Sequence, residues 1–276
     1  MNDSNQCQSC SSNSGGMAIE EISLLGSLNK TNKVIAVMSG KGGVGKSTVS
    51  SLLTVELNRR GYKVGIMDAD ITGPSIARSF GIPGIQPEVS RFGIEPPVTD
   101  SGIKIMSVNL FLPHEDDPVI WRGPLLAGAV KQFWEETNWR ELDYMIVDLP
   151  PGTGDVPLSV LQTLPVSGIV IVSSPQQLAQ MVVKKSVKMA NAIGTPIIGL
   201  VENMSYAICP HCNGEMHLFG EKRAEEQILE YYGIPCLGNF PWDVSLNELM
   251  DDGRIEDYNS INLGSMVDSV LNYTAG

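Results

Sequence analysis

Basic charge is what this chain has least of: 31 acidic side chains stand against 19 basic ones in 276 residues, a formal net charge of −12. A protein that binds nucleic acid without sequence preference needs a cationic footprint to displace counterions, and this balance excludes that class. It also excludes docking on an anionic membrane. No apolar run approaches the ~18 residues of a membrane span. The opening "MNDSNQCQSCSSNSGG" has neither the basic nor the apolar region of an export signal. These absences predict a cytoplasmic protein with neither nucleic acid nor membrane as a partner. What remains, 42% apolar and 18% charged residues, is the composition of an ordinary globular domain.

Five cysteines cannot all pair, and four of them form two C-x-x-C pairs, Cys7 with Cys10 and Cys209 with Cys212. In a chain without an export signal, such pairs point to metal or redox chemistry rather than structural disulfides. The fifth, Cys236 in "IPCLGNF", reads as a core residue of a strand.

Residues 1–30 read as a polar tail carrying one C-x-x-C, with a short amphipathic stretch at "AIEEISLLGSL". From there to residue 276, seven β-branched runs alternate with helical patterns. The runs are "KVIAVMS", "YKVGIMD", "IKIMSVN", "YMIVDLP", "GIVIVSS", "PIIGLVEN" and "PCLGNF". Helices are expected to begin near Lys46, Pro74, Pro124, Asp155, Gln176, Glu221 and Ile261. Apolar strands separated by helices predict one α/β domain over residues 31–276, a mostly parallel sheet covered on both faces. The Pro- and Gly-rich stretch from Gly81 to Asp100 reads as a long functional loop. The methionines of "QQLAQMVVKKSVKMANAIG" read as core.

"KVIAVMSGKGGVGKSTVSSLL" carries the P-loop spacing Gly40-x-x-x-x-Gly45-Lys46-Ser47 between a strand and a helix. Glycine lets backbone N–H groups turn inward around a phosphate without a Cβ in the way, and the helix start adds positive potential. The expected nucleotide cradle runs from Gly40 through Lys41, Gly42, Gly43, Val44 and Gly45 to Lys46, Ser47 and Thr48. Lys46 is expected on the β- and γ-phosphates, and the Ser47 hydroxyl on Mg²⁺. Two more strands end in acids, "VGIMDAD" in Asp68 and Asp70 and "YMIVDLPPGTGD" in Asp148. A carboxylate at a strand's C-terminal end beside a P-loop can orient water or hold magnesium. Residues 150–155 would then form a loop that senses the γ-phosphate. The guanine-reading Asn/Thr-Lys-x-Asp signature is absent, so ATP is expected, with Asn203 at the adenine edge and Pro241 of the "NFPWD" turn stacking nearby.

A second lysine, Lys41, follows the first glycine in "GKGGVGKST". Here the sequence resembles the deviant Walker A P-loop ATPases, a group that includes MinD, ParA and the nitrogenase iron protein. The resemblance implies that Lys41 crosses a homodimer interface to the partner's ATP, in place of an arginine finger worth on the order of 10³–10⁵ in rate. The plain alternative is a solvated surface lysine. The resemblance further assigns Asp70 to the attacking water, Asp68 to the outer shell of Mg²⁺, and Asp148 to a Walker B strand.

In "CPHC" the two thiols of Cys209 and Cys212 can reach one metal from a single turn, but tetrahedral closure needs four ligands. His211 and His217 are nearby candidates. Two completions are economical: a two-fold dimer that brings two loops together, or Cys7 and Cys10 reaching over within one chain. With "DADITGPSIARSFG", "WRGP", "DLPPGTGD", "SSPQQLA" and "VENMSYAICPHC", the chain resembles the Mrp/ApbC branch of the group over roughly residues 30–273. That resemblance implies a slow ATP hydrolase that holds a labile [4Fe–4S] cluster at its dimer interface and passes it to apoproteins, with Cys209 and Cys212 as the bridging thiolates. Scaffold relatives bear four N-terminal cysteines where this chain has Cys7 and Cys10, so a second cluster site there is only half supplied. Arg122 of "WRGP" either touches the partner or the switch loop, or makes a structural ion pair. The alternative reading is a MinD- or ParA-like positioning or regulatory ATPase in which Zn²⁺ merely staples the dimer.

Overall fold

The computed structural model describes residues 29–70, 73, 75–82, 84–91, 93–111, 123–209, 211–212, 214–219 and 225–275. The tail with Cys7 and Cys10, and Arg122, lie outside the described residues.

Every expected strand forms. β1 (Lys30–Ser39), β2 (Val64–Asp68), β5 (Lys104–Ser107), β6 (Glu141–Asp148), β7 (Gly168–Ser173), β8 (Ile197–Ile208) and β10 (Cys236–Trp242) make one parallel sheet in the order β10-β8-β7-β1-β6-β2-β5. The short β9 (Glu215–Met216) runs antiparallel to the end of β8. Around the sheet lie α1 (Lys46–Arg59), α2 (Ile76–Ser79), α3 (Gly123–Glu136), α4 (Asp155–Thr163), α5 (Gln177–Ile193), α6 (Glu225–Tyr232), α7 (Val244–Asp251) and α8 (Ile261–Ala275).

Both faces of the sheet are covered, as near-continuous apolar strands require. Along β1, Ile35 and Val37 point into a core shared with α1, α2, α7 and α8. Val34, Ala36 and Met38 point into the opposite core with α3, α4, α5 and α6. The period of two is that of any strand; here both sets find a layer to bury them.

Five details depart from the sequence reading. The stretch from Gly81 to Asp100 is not wholly a loop, because β3 (Glu88–Ser90) and β4 (Gly93–Glu95) pair as a hairpin within it. Pro241 does not sit in a turn. It lies inside β10, where an edge strand tolerates a residue with no N–H to give. That strand leads into α7, a helix the sequence reading did not anticipate, capped by the Asp243 carboxylate accepting from Ser245 N. Of the α5 methionines, Met189 packs on the core but Met181 is 60% exposed. Cys236 is half-buried rather than enclosed, since it opens an edge strand.

Candidate functional site

Five adjacent strands, β8, β7, β1, β6 and β2, end at one pole of the sheet, and each delivers a residue there. In a parallel α/β sheet this carboxyl edge, beside the point where connections diverge to the two sides, is where ligands bind. The loop after β1 is the glycine-rich one, and it opens α1 without any side-chain cap on the first-turn N–H groups. A helix start left open in this way favours an anion. Gly45 is required on two counts. Its φ is +76°, and a Cβ there would sit 2.1 Å from Asn203 Nδ2.

Beneath the loop is a buried charge cluster. Lys46 Nζ lies 2.7 Å from Asp148 Oδ2 and 3.8 Å from Asp70 Oδ2. Ser47 Oγ donates to Asp148 Oδ2 at 2.6 Å, and Ser50 Oγ to Asp148 Oδ1 at 2.6 Å. Asp148 is fully buried, so a charge there persists only because a cation and two hydroxyls surround it. Ser50 was missed by sequence reasoning. The available signal was its place three residues after Ser47 on α1, hence on the same face.

Asp68 is the register partner of Asp148 on the neighbouring strand. Its carboxylate accepts from Asp70 N at 3.0 Å, Ser75 N at 3.2 Å and Ile76 N at 3.3 Å, so it pins the start of α2 to the end of β2. Burial, and then the negative charge of Asp148, push its carboxyl up to about 8 despite Lys46 and those N–H donors. The loop after β6 is tied back to β1 through Leu149 N to Val37 O at 3.0 Å and Gly152 N to Ser39 O at 2.8 Å. A rearrangement of residues 150–155 is therefore felt directly at the phosphate loop.

Asn203, at the β8 end, donates its Nδ2 to Val44 O at 3.0 Å and so braces the loop's backbone. It also lines a cleft of about 90 Å³ with Thr48, Met204, Pro241, Trp242, Asp243 and Asn247. The structure thus brings Asn203 and Pro241 together, with Trp242 and Asp243 as neighbours that the sequence reading passed over. Met204 has φ +57°, and the ladder slips beside it: Glu202 faces Asn239 while Tyr206 faces Pro241. This bulge turns Asn203 toward the P-loop while β8 continues outward. A larger cavity, about 690 Å³, lies at the amino ends of β2 and β6 beside Tyr62, Lys104 and Arg140, away from all of these groups.

Lys41 is half-buried, and its Nζ donates to Gln176 Oε1, at the residue just before α5. Gly40 lets α5 press on the loop: a Cβ there would stand 2.2 Å from Val182 Cγ1. The sequence analysis named Lys41 but not its partner.

β8 runs on from the cleft and ends at Ile208, where β9 turns back. Cys209 and Cys212 occupy the connecting turn, closed by Cys209 N to Gly214 O at 2.9 Å. Cys209 is half-exposed and Cys212 exposed. The backbone N–H groups of His211 and Cys212, and then the Cys212 side chain, hydrogen-bond the Cys209 sulfur and pull its thiol below the ordinary range. The Cys212 sulfur thus lies within hydrogen-bond reach of the Cys209 sulfur, and two adjacent thiols are a donor pair that suits a soft metal. Among the described residues no three metal-binding side chains gather at one point. His217 instead lies 3.9 Å from Glu215, so neither histidine completes a set with both thiols. Ile208, Met216, Leu218 and Phe219 around the turn are 36–54% exposed.

Known proteins share the fold and much of the sequence of this chain. A family model described as ParA, the NUBPL iron-transfer P-loop NTPases, matches residues 30–272. The iron-sulfur cluster carrier protein of Clostridium perfringens is 44% identical over 260 residues, covering 92% of this chain and 91% of the relative. A nucleotide-binding protein of Archaeoglobus fulgidus, solved in complex with ADP, is 44% identical with a TM-score of 0.77, over 90% of this chain and 96% of that one. The cell division ATPase MinD of Pyrococcus furiosus superposes with a TM-score of 0.64 at 19% identity, over 87% of this chain and 99% of its own, a likeness of fold. No described helix is long and apolar enough to cross a membrane.

Proposed function

The chain belongs to the iron-transfer P-loop NTPases of the ParA family, and on that premise we propose that it is a homodimeric Mg-ATPase carrying a labile [4Fe–4S] cluster to apoproteins. The observation that carries the reading is the cysteine turn at the end of β8. It offers two thiols, one of them lowered by backbone amides, on an exposed hairpin tip ringed by apolar side chains. Two thiolates are half of what a tetrahedral or cubane centre needs. A second copy supplies the rest with the fewest assumptions, and the exposed Ile208, Met216, Leu218 and Phe219 are the kind of side chains a subunit contact would cover.

In this reading ATP lies along residues 40–48, with Lys46 on its β- and γ-phosphates and its base in the cleft of Asn203 and Pro241. Ser47 and Asp148 hold Mg²⁺, with Asp68 behind them, and magnesium supplies charge neutralisation on the phosphates. Asp70, beside Lys46, orients water. Lys41 serves the partner's nucleotide. Because β8 carries Asn203 at the nucleotide and ends next to Cys209, six residues or about 20 Å of one strand join the two sites. Subunit geometry set by nucleotide then sets how firmly the thiolates hold their cargo.

The test is anaerobic reconstitution with iron and sulfide. About one cluster per dimer is expected for the parent chain, and almost none for the Cys209→Ser and Cys212→Ser proteins. Equal loading of the variants would remove the carrier reading, and stoichiometric zinc without acid-labile sulfide would replace it with a metal staple.

A further inference from the structure

Lys41 is fixed at both ends. Its carbonyl accepts from Ser39 Oγ at 3.0 Å, and its ammonium donates to the Gln176 side-chain oxygen. Gln176 in turn is set by the start of α5, whose Val182 leaves room only for a glycine at position 40. A lysine stem has four rotatable bonds, so one fixed position is costly in entropy unless something holds it. What holds it here is a neutral amide oxygen rather than a carboxylate. Such an acceptor selects one position for the ammonium yet leaves its charge unneutralised, and a triphosphate competes for that charge easily.

We infer that Gln176 is a positioning residue that parks Lys41 on its own subunit and so sets how readily two subunits close on ATP. The inference rests on the reading that Lys41 serves the partner's nucleotide. Each closure exchanges the Gln176 oxygen of both subunits for the partner's phosphate oxygens, so the parks oppose closure by the weight of two hydrogen bonds, one per subunit. It also couples closure to the amino end of α5, which carries the acceptor that the lysine leaves.

The experiment follows ATP turnover per subunit against protein concentration, using the full chain. Removing the competing acceptor in Gln176→Ala is expected to lower the half-maximal concentration roughly a hundredfold, about tenfold for the hydrogen bond to a charged group that each of the two subunits gives up. Gln176→Glu, which turns the park into an ion pair, is expected to raise it by at least as much. A purely structural role would move both variants the same way; shifts of the same sign, or shifts under twofold in both, overturn the inference. The underlying reading is tested separately by mixing Lys41→Ala with Lys46→Ala subunits. Recovered turnover upholds a lysine that acts across the pair, so that unresponsive Gln176 variants then sink only the park. A silent mixture removes the crossing lysine itself and the inference with it.

Discussion

The nucleotide centre and the cysteine turn are built on opposite plans, although one strand joins them. At the first, Lys46 and Asp148 are at most 6% exposed, and the carboxylate is met by an ammonium and two hydroxyls, all from one chain. At the second, two thiols sit at the tip of a hairpin whose return strand is two residues long, with apolar side chains open to solvent around them. A completed, desolvated cluster is costly to perturb and therefore keeps its geometry. An exposed pair of ligands that lacks half its set can accept a cargo and give it up. The contrast suits the proposed carrier, which must keep its nucleotide site and release its load.

The comparison can be broken most severely at Lys46. Lys46→Ala is expected to lower ATP turnover by about 10³-fold or more; steady-state assays that find less than a tenfold loss would mean that the buried centre is not the hydrolytic one. Next comes stability. Asp148→Ala leaves a buried ammonium without its main partner, and urea unfolding without nucleotide is expected to show a loss of about 3–5 kcal/mol. A loss under 1 kcal/mol would say that water already reaches the cluster.

A pH titration sharpens the picture further. Because the folded chain holds the Asp68 proton more tightly than the unfolded one, this group's contribution to stability falls as pH rises from 3.8 to about 8 and is level above that. The urea midpoint of Asp68→Asn should therefore decline less over that window than the parent's, and parallel curves would contradict the assignment. The smallest effect belongs to the turn: alkylation of Cys209 should have its midpoint pH below that of an ordinary thiol, read by mass spectrometry on the Cys212→Ala protein before and after unfolding. Some shift will be lost with the Cys212 side chain; the part owed to the two amides should remain.

Much of this was legible in the chain. The P-loop spacing, the acids at the ends of β2 and β6, and the C-x-x-C are local patterns whose chemistry depends on neighbours in sequence, and the alternating apolar runs gave all seven strands of the parallel sheet. Contacts made by packing were not legible. Gln176 meets Lys41 only because α5 folds across Gly40, 135 residues separating the two partners. The helix after Trp242 was hidden by Pro241, which reads as a turn until its strand is known to lie at the edge of the sheet. Its signal was Asp243 two residues before Ser245, an N-cap ahead of Leu246 and Leu249. Asn203 shows a subtler limit. The sequence placed it beside the base, while the fold also commits its amide to bracing the loop.

The brevity of β9 has one more outcome. The turn hangs from the sheet by two ladder pairs, Ala207 with Met216 and Ile208 with Glu215, and among the described residues no hydrogen bond joins it to the phosphate loop. In the proposed carrier, peroxide damage at the sulfurs would thus spoil the freight without touching any group of the buried nucleotide centre.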